Sequence, residues 1–234
     1  MRNSNIKQQI IMTKMINKIK LTLTVFIFCC TTLIAQVQVS KEPRHKKVIE
    51  NKFIRLLDVW INPGDTSLFH IHSTPSLFLL LSNTDVGSQI MGKEWIKGRN
   101  EMGQAAYRSF INDTMVHRVC NLDSSLFHVT DIELLSSYKP DIPLKPLPFT
   151  VLFDNEKAIA YKLTQSSSIK KVISNRRPII AELVEGKEVI FYDMLKKKST
   201  SISTGKYLYI NPKSSFYFSA KENENINMVL FEIK

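Results

Sequence analysis

Beyond residue 36 the chain alternates short apolar runs with polar turns. The clearest runs are FIRLLDVWI (Phe53–Ile61), SLFLLLS (Ser76–Ser82), MVHRVCN (Met115–Asn121) and SLFHVTDIELL (Ser125–Leu135). They are rich in β-branched and aromatic residues, and no long stretch sustains an i, i+3, i+4 apolar pattern. The pattern predicts an all-β sandwich or barrel. A proline cluster, PDIPLKPLP (Pro140–Pro148), interrupts it. Proline cannot donate to a ladder and restricts the residue before it, so the cluster reads as a linker between two stretches of similar length.

Similar stretches invite a search for a repeat. Phe110–Leu135 lies over Tyr209–Lys234 without a gap, placing Ile111-Asn112 on Ile210-Asn211 and Glu133 on Glu232. Upstream, Ser73–Asn83 lies over Arg176–Gly186, with Pro75 on Pro178. Both matches come in the same order, which predicts two copies of one β-domain. The expected bounds are 45–138 and 150–234, joined by the Pro-rich linker 139–149.

The first 36 residues have a different character. They hold Arg2, Lys7, Lys14, Lys18 and Lys20 and no acid, followed by LTLTVFIFCCTTLIA (Leu21–Ala35). A basic segment before an apolar run too short for a comfortable membrane span predicts a signal peptide over 1–36. Ala35 supplies the small residue at the cleavage site, and Met15 offers a second possible start. Neither Cys29 nor Cys30 follows the small residues that precede a lipidated cysteine.

Removing this segment lowers the net charge from +11 to +6, with 27 basic against 21 acidic residues left. The remaining lysines are scattered or sit in short runs such as Lys196–Lys198. Nucleic acid is therefore not an expected partner, and no membrane association is expected after cleavage. Only Cys120 remains, so no internal disulfide is available and core packing must supply the stability. The expected destination is the periplasm or the exterior.

The candidate chemistry sits in PGDTSLFHIHSTPS (Pro63–Ser76). Side chains i and i+2 of a strand share a face, so His70 and His72 project together, roughly 7 Å apart along the backbone. An ion held by this pair needs a further donor, and His117 in HRVCN is the candidate. Asn121 follows it at the fourth position.

These spacings resemble the cupin superfamily of small β-barrels. Its first motif reads G-x5-H-x-H, matched by Gly64, His70 and His72, and its second ends H-x3-N, matched by His117 and Asn121. The resemblance covers Phe53–Leu135 well and Ala158–Lys234 weakly, and so implies two cupin-type barrels (double-stranded β-helix, or jelly roll) in tandem, a bicupin with a degenerate second domain. It further implies one divalent transition metal (Zn, Fe, Ni, Cu or Mn) on His70, His72 and His117, and a small-molecule ligand or substrate. Two departures stand out. The family's acid ligand would fall at Ser76 or Leu77, and the Pro-x-Gly of the second motif is replaced by Asn112-Asp113-Thr114. Three histidines without the acid still suit an ion. Gln89, or a water held by Ser76, is a candidate replacement ligand, and Asn121 is expected to support the fold or stand behind the ligands.

Other expectations are structural. His45 in PRHKK is read as solvated, His128 as a surface or strand-edge residue, and Cys120 as buried and inert. Trp60 and Trp95 are read as core or barrel-mouth packing, and Asp113 and Glu94 as exposed. Leu77, Leu79, Trp95 and Phe110, or their opposite-face neighbours, are expected to line the barrel. In the second copy His70, His72, His117 and Asn121 fall on Ile173, Asn175, Phe216 and Ala220, which predicts a metal-free structural partner. The implied function is an exported metal-binding protein, either a small-molecule enzyme or a non-catalytic module holding a metal or an apolar ligand. Reaction class and oligomeric state stay open.

Overall fold

Each predicted strand forms within two residues of its expected ends in a computed structural model of the chain, which describes residues 37–139, 145–165 and 171–234. The expected signal peptide, 1–36, and residues 140–144 of the linker lie outside the described residues. Ten strands precede the linker: β1 (Val37–Gln38), β2 (His45–Glu50), β3 (Ile54–Ile61), β4 (His70–His72), β5 (Ser76–Leu80), β6 (Thr84–Ile90), β7 (Ile96–Asn100), β8 (Ala105–Arg108), β9 (Met115–Asn121) and β10 (Phe127–Leu134). Nine follow it: β11 (Thr150–Asp154), β12 (Ala158–Gln165), β13 (Ile173–Ser174), β14 (Ile179–Glu185), β15 (Glu188–Asp193), β16 (Lys198–Ser203), β17 (Tyr207–Ile210), β18 (Ser215–Ser219) and β19 (Asn225–Ile233).

The first ten form two sheets, ordered β1-β4-β9-β6-β7 and β2-β3-β10-β5-β8. The other nine repeat the plan as β13-β18-β15-β16 and β11-β12-β19-β14-β17. Each half is thus an open, two-sheet barrel. Among the described residues no helix is long and apolar enough to cross a membrane.

Hydrogen bonds reproduce the repeat at the level of single atoms. Leu134 N–H donates to Pro75 O at 2.7 Å, and Ile233 N–H to Pro178 O at 2.9 Å. Gly103 N–H reaches Leu80 O, and Gly205 N–H reaches Leu183 O, each at 2.7 Å. Both glycines hold positive φ, 85° and 72°, which a Cβ would strain. The aligned Glu133 and Glu232 are each fixed by an arginine, Arg55 at 2.8 Å and Arg176 at 2.6 Å.

The first half begins earlier than position 45. Val37 and Gln38 pair in parallel with His70 and Ile71, and Val39 is buried in the first core. The segment before His45 therefore belongs to the barrel.

The two halves share a core. Leu77 and Leu79 of β5 are fully buried with Ile54, Leu56 and Ile132, against Ile180, Val184, Val229 and Phe231 of the second half. This explains why β10 is buried along its whole length, since one face turns to its own barrel and the other to the second half. Apolar burial drives the docking.

One polar contact is set into this interface. Glu182 of β14 is fully buried, and the Thr130 hydroxyl of β10 donates to its carboxylate at 2.8 and 3.1 Å. Burial pushes its carboxyl up to about 8; Thr130 opposes the shift, and the charge of Asp58 adds to it. The folded chain therefore holds a proton on Glu182 that the unfolded chain releases between the ordinary carboxylate range and about pH 8. The stability tied to this group is full below the unfolded pKa and is lost as pH rises through the folded one. Denaturant melts of the wild type and Glu182→Gln should show the wild type losing stability relative to the variant across that window. The limiting slope is about 1.4 kcal/mol per pH unit. Parallel pH profiles would contradict the assignment.

The structure corrects three expectations. His45 is not solvated: it is 8% exposed, and its Nδ1 lies 2.7 Å from Glu42 Oε2. His128 is not at the surface: it is buried, hydrogen-bonded to Asp58 at 2.7 Å and stacked on Trp60 at 3.5 Å. Cys120 is only partly buried. Trp60 and Trp95 are each 37% exposed, and Trp95 packs over Gly87 and under Arg118.

Candidate metal centre

The Pro63-Gly64 turn sets the register that brings the histidines together. Gly64, at φ 72°, donates its N–H to Asn121 O, and Asn121 N–H returns to Asp65 O, both at 3.0 Å. The strands then close through Ser67 N–H to Val119 O at 2.8 Å, and the ladder arrives with His70 opposite His117. The G-x5-H and H-x3-N spacings are therefore two ends of one antiparallel pairing. Asn121 serves that pairing and not the ligands: its Nδ2 donates to Ile61 O and Ser125 O at 2.9 and 2.8 Å, and its Oδ1 accepts from Asp123 N–H.

His70, His72 and His117 converge, each offering one nitrogen within 4.8 Å of the others. His70 Nδ1–H donates to Leu68 O at 2.9 Å, which fixes the tautomer and leaves Nε2 as the acceptor. That Nε2 is buried with no hydrogen-bond partner. His72 Nε2 and His117 Nε2 stand 3.1 Å apart. His117 Nδ1 has the Ser88 hydroxyl at 3.4 Å.

Burial holds all three imidazoles below their ordinary range, at about 4 for His70, about 2 for His72 and about 3 for His117. Repulsion from neighbouring imidazolium charge adds to it, from His45 at His70, from His117 and His70 at His72, and from His70 and His45 at His117. At neutral pH each ring is therefore uncharged and keeps a lone pair. Buried polar atoms left without partners are rare because they cost folding free energy. The unpaired Nε2 of His70 and the close pair of Nε2 atoms are what a soft or borderline divalent cation would satisfy, so the donor set fits a metal.

Asp131 of β10, 1% exposed, places Oδ2 3.6 Å from His72 Nδ1, behind that ring and away from the cluster. Burial raises its carboxyl to about 8, the Glu133 charge adds to the shift, and the Ser76 hydroxyl opposes it. At 3.6 Å the two groups are not hydrogen-bonded, and His72 Nδ1 and both Asp131 oxygens are buried without a partner. The sequence of β10 does not single out Asp131, because the strand also carries His128, Thr130 and Glu133.

His45 is a fourth imidazole at the pocket, its ring centroid 4.6 Å from that of His70. Its partner Glu42 is held down to about 2; burial works against this, and the hydrogen bonds from His45 and from Leu68 N–H prevail. With Nδ1 committed to Glu42, His45 keeps Nε2 for a ligand.

The candidate replacement ligands lie elsewhere. Gln89 is on the outer face, bound to Arg118 at 2.8 Å and to Lys93 O at 3.0 Å. Its neighbour Ser88 faces inward instead, as period-2 alternation requires. Ser76 is fully buried and donates to Thr74 O at 3.2 Å. Asp113 and Glu94 are exposed, as expected.

The cluster lies in a cavity of about 470 Å³, walled by Val59, Ile61, Phe78, Leu80, Phe110 and Val129 among others. That size suits a small organic molecule. Phe110 lines it as expected, whereas Leu77 and Leu79 give way to their opposite-face neighbours Phe78 and Leu80.

The second half fills the same space with carbon. The pair Ile173–Phe216 stands in the register of His70–His117, both residues buried. Asn175, aligned with His72, falls just past the two-residue β13. Ile179 and Leu230, both fully buried, replace Ser76 and Asp131. The same scaffold is thus built without these polar groups.

No family model matches the chain, and no curated protein matches it. Solved structures do match. AerE from Microcystis aeruginosa shares 12% identity over 82% of this chain and 98% of its own, with a TM-score of 0.55. A cupin 2 conserved barrel domain protein from Leptotrichia buccalis shares 10% over 80% and 87%, with a TM-score of 0.52. A salicylate 1,2-dioxygenase from Pseudaminobacter salicylatoxidans shares 10% over 90% and 81%, with a TM-score of 0.55. Likeness at such identities is one of architecture, and the architecture is that of the cupins.

Proposed function

We propose that this cupin-fold chain is an exported metal-binding protein whose first barrel holds one divalent transition metal on His70, His72 and His117 and acts on a small molecule in the adjoining cavity. The observation that carries this reading is the unpaired, buried Nε2 of His70 beside the 3.1 Å pair of His72 and His117 nitrogens. Three protein donors would leave coordination positions open toward the cavity, as catalytic sites do and closed structural sites do not. The metal would supply Lewis-acid or redox chemistry there. The chain's own residues would do the rest. Asp131 would orient His72 only by closing from 3.6 Å to hydrogen-bond distance, the apolar walls exclude water from the bound molecule, and His45, steadied by Glu42, presents Nε2 to it as a hydrogen-bond acceptor. That a salicylate 1,2-dioxygenase has a like fold supports a small-molecule substrate. Export is supported by the basic-then-apolar segment at 1–35 and the small residue Ala35.

A second reading, a non-catalytic module, draws on the second barrel, which keeps the fold and carries Ile173 and Phe216 where the first has His70 and His117. Elemental analysis and N-terminal sequencing of the protein recovered from the exported fraction test the proposal together. The expected result is close to one transition-metal ion per chain and an N-terminus near Gln36. Negligible metal, persisting after incubation with zinc, manganese, iron, nickel and copper salts, would remove the site. An exchangeable water on the bound metal favours the enzyme, and a saturated ion the module.

A further inference from the structure

Arg108 is the one charged residue of the cavity that the three-histidine reading leaves unused. It sits at the end of β8, on the edge of its sheet, and lines the same cavity as the cluster. Its guanidinium makes no hydrogen bond or ion pair among the described residues. The acid in its cross-strand row, Glu133, lies beyond Ser76 and is already taken by Arg55 at 2.8 Å. Arg108 is close enough to the cluster for its charge to oppose protonation of both His72 and His117.

The second barrel gives an internal comparison. Ser76 pairs with Arg108 in β5–β8, and the aligned Ile179 pairs with Ile210 in β14–β17. Ile210 is 2% exposed, so the fold accepts a plain apolar residue there. Arg108 differs from its counterpart in the barrel where the histidines also differ. Arg108 is exposed at the rim of this largely apolar cavity, and an unpaired cation there, beside the proposed metal site, suits an anion with an apolar body. Arginine suits this role because its planar fork matches the two oxygens of a carboxylate.

We propose that the first cavity takes a small organic monocarboxylate with an apolar or aromatic body, and that Arg108 pairs with its carboxylate while Phe78, Phe110, Leu80 and Val129 receive the body. This assignment rests on the reading of the cavity as a metal-bearing small-molecule site. The test is isothermal titration of the zinc-loaded full-length protein with benzoate, phenylacetate and hexanoate, and with the corresponding neutral amides. Zinc content and thermal melting are measured on the same samples. At least one carboxylate should bind the wild type more tightly than its amide. Arg108→Gln should weaken that binding by about 10- to 100-fold, Arg108→Lys should restore part of it, and amide binding, zinc content and melting should be unchanged. The proposal is overturned if no carboxylate binds zinc-loaded wild type, or if Arg108→Gln binds carboxylates as well as wild type does. Arg108-dependent carboxylate binding by a wild type that holds no zinc would instead uphold the anion site and remove the metal.

Discussion

Replacing His117 with phenylalanine is expected to lower the affinity for a divalent transition metal by at least about 100-fold, or about 2.7 kcal/mol, while leaving the fold intact. Loss of a group that merely orients a ligand typically costs 10- to 100-fold, so loss of a donor belongs at or beyond the upper end. The choice of phenylalanine comes from the protein itself. Phe216 occupies the equivalent register in the second barrel, fully buried opposite Ile173. His117 is only partly buried and its Nδ1 has a distant partner in Ser88 at 3.4 Å, so little is lost on removing it. Competition against a chromophoric zinc chelator, with thermal melting alongside, reads both quantities. Unchanged zinc affinity in a well-folded variant would exclude His117 as a donor.

Phe231→Ala is expected to destabilise the chain by about 3–5 kcal/mol, a large share of the ~5–15 kcal/mol typical of a folded protein. Phe231 is fully buried in the core shared by the two halves, beside Phe153 at a ring separation of 6.3 Å. The consequence worth measuring is where the loss appears. Both tryptophans, Trp60 and Trp95, belong to the first half, whereas Phe231 belongs to the second. If the shared core couples the halves, the fluorescence midpoint of the first half shifts together with the circular dichroism midpoint of the whole. A fluorescence transition that stays at its wild-type denaturant concentration would show that the halves unfold independently.

The strand identities of the apolar runs were legible because they depend on local rules. Alternation in FIRLLDVWI and SLFLLLS locates β3 and β5, whereas the register that sets His70 opposite His117 appears only in the structure. The gapless overlay of Phe110–Leu135 on Tyr209–Lys234 holds in the structure, down to the Pro75 and Pro178 hydrogen bonds. The misreadings share one cause. His45 and His128 look exposed in their local stretches: only the turn folds Glu42, three residues upstream, back onto His45, and only strand pairing brings Asp58 to His128. Gln89 and Ser88 are neighbours on one strand, and only the direction of the barrel decides which of them points inward.

By itself, then, the sequence determined the all-β class and the bounds of four strands, because period-2 alternation acts over a few residues, and its resemblance to the cupin motifs picked out the three histidines. Only the tertiary structure decided what surrounds those histidines. Asp131, Arg108 and His45 come from strands remote in the chain and meet the cluster through sheet order. Which face of β5 seals against the second barrel, and which opens to the cavity, was likewise fixed by packing. Leu77 and Leu79 had an apolar partner surface to bury against, and Phe78 and Leu80 were left to line the site.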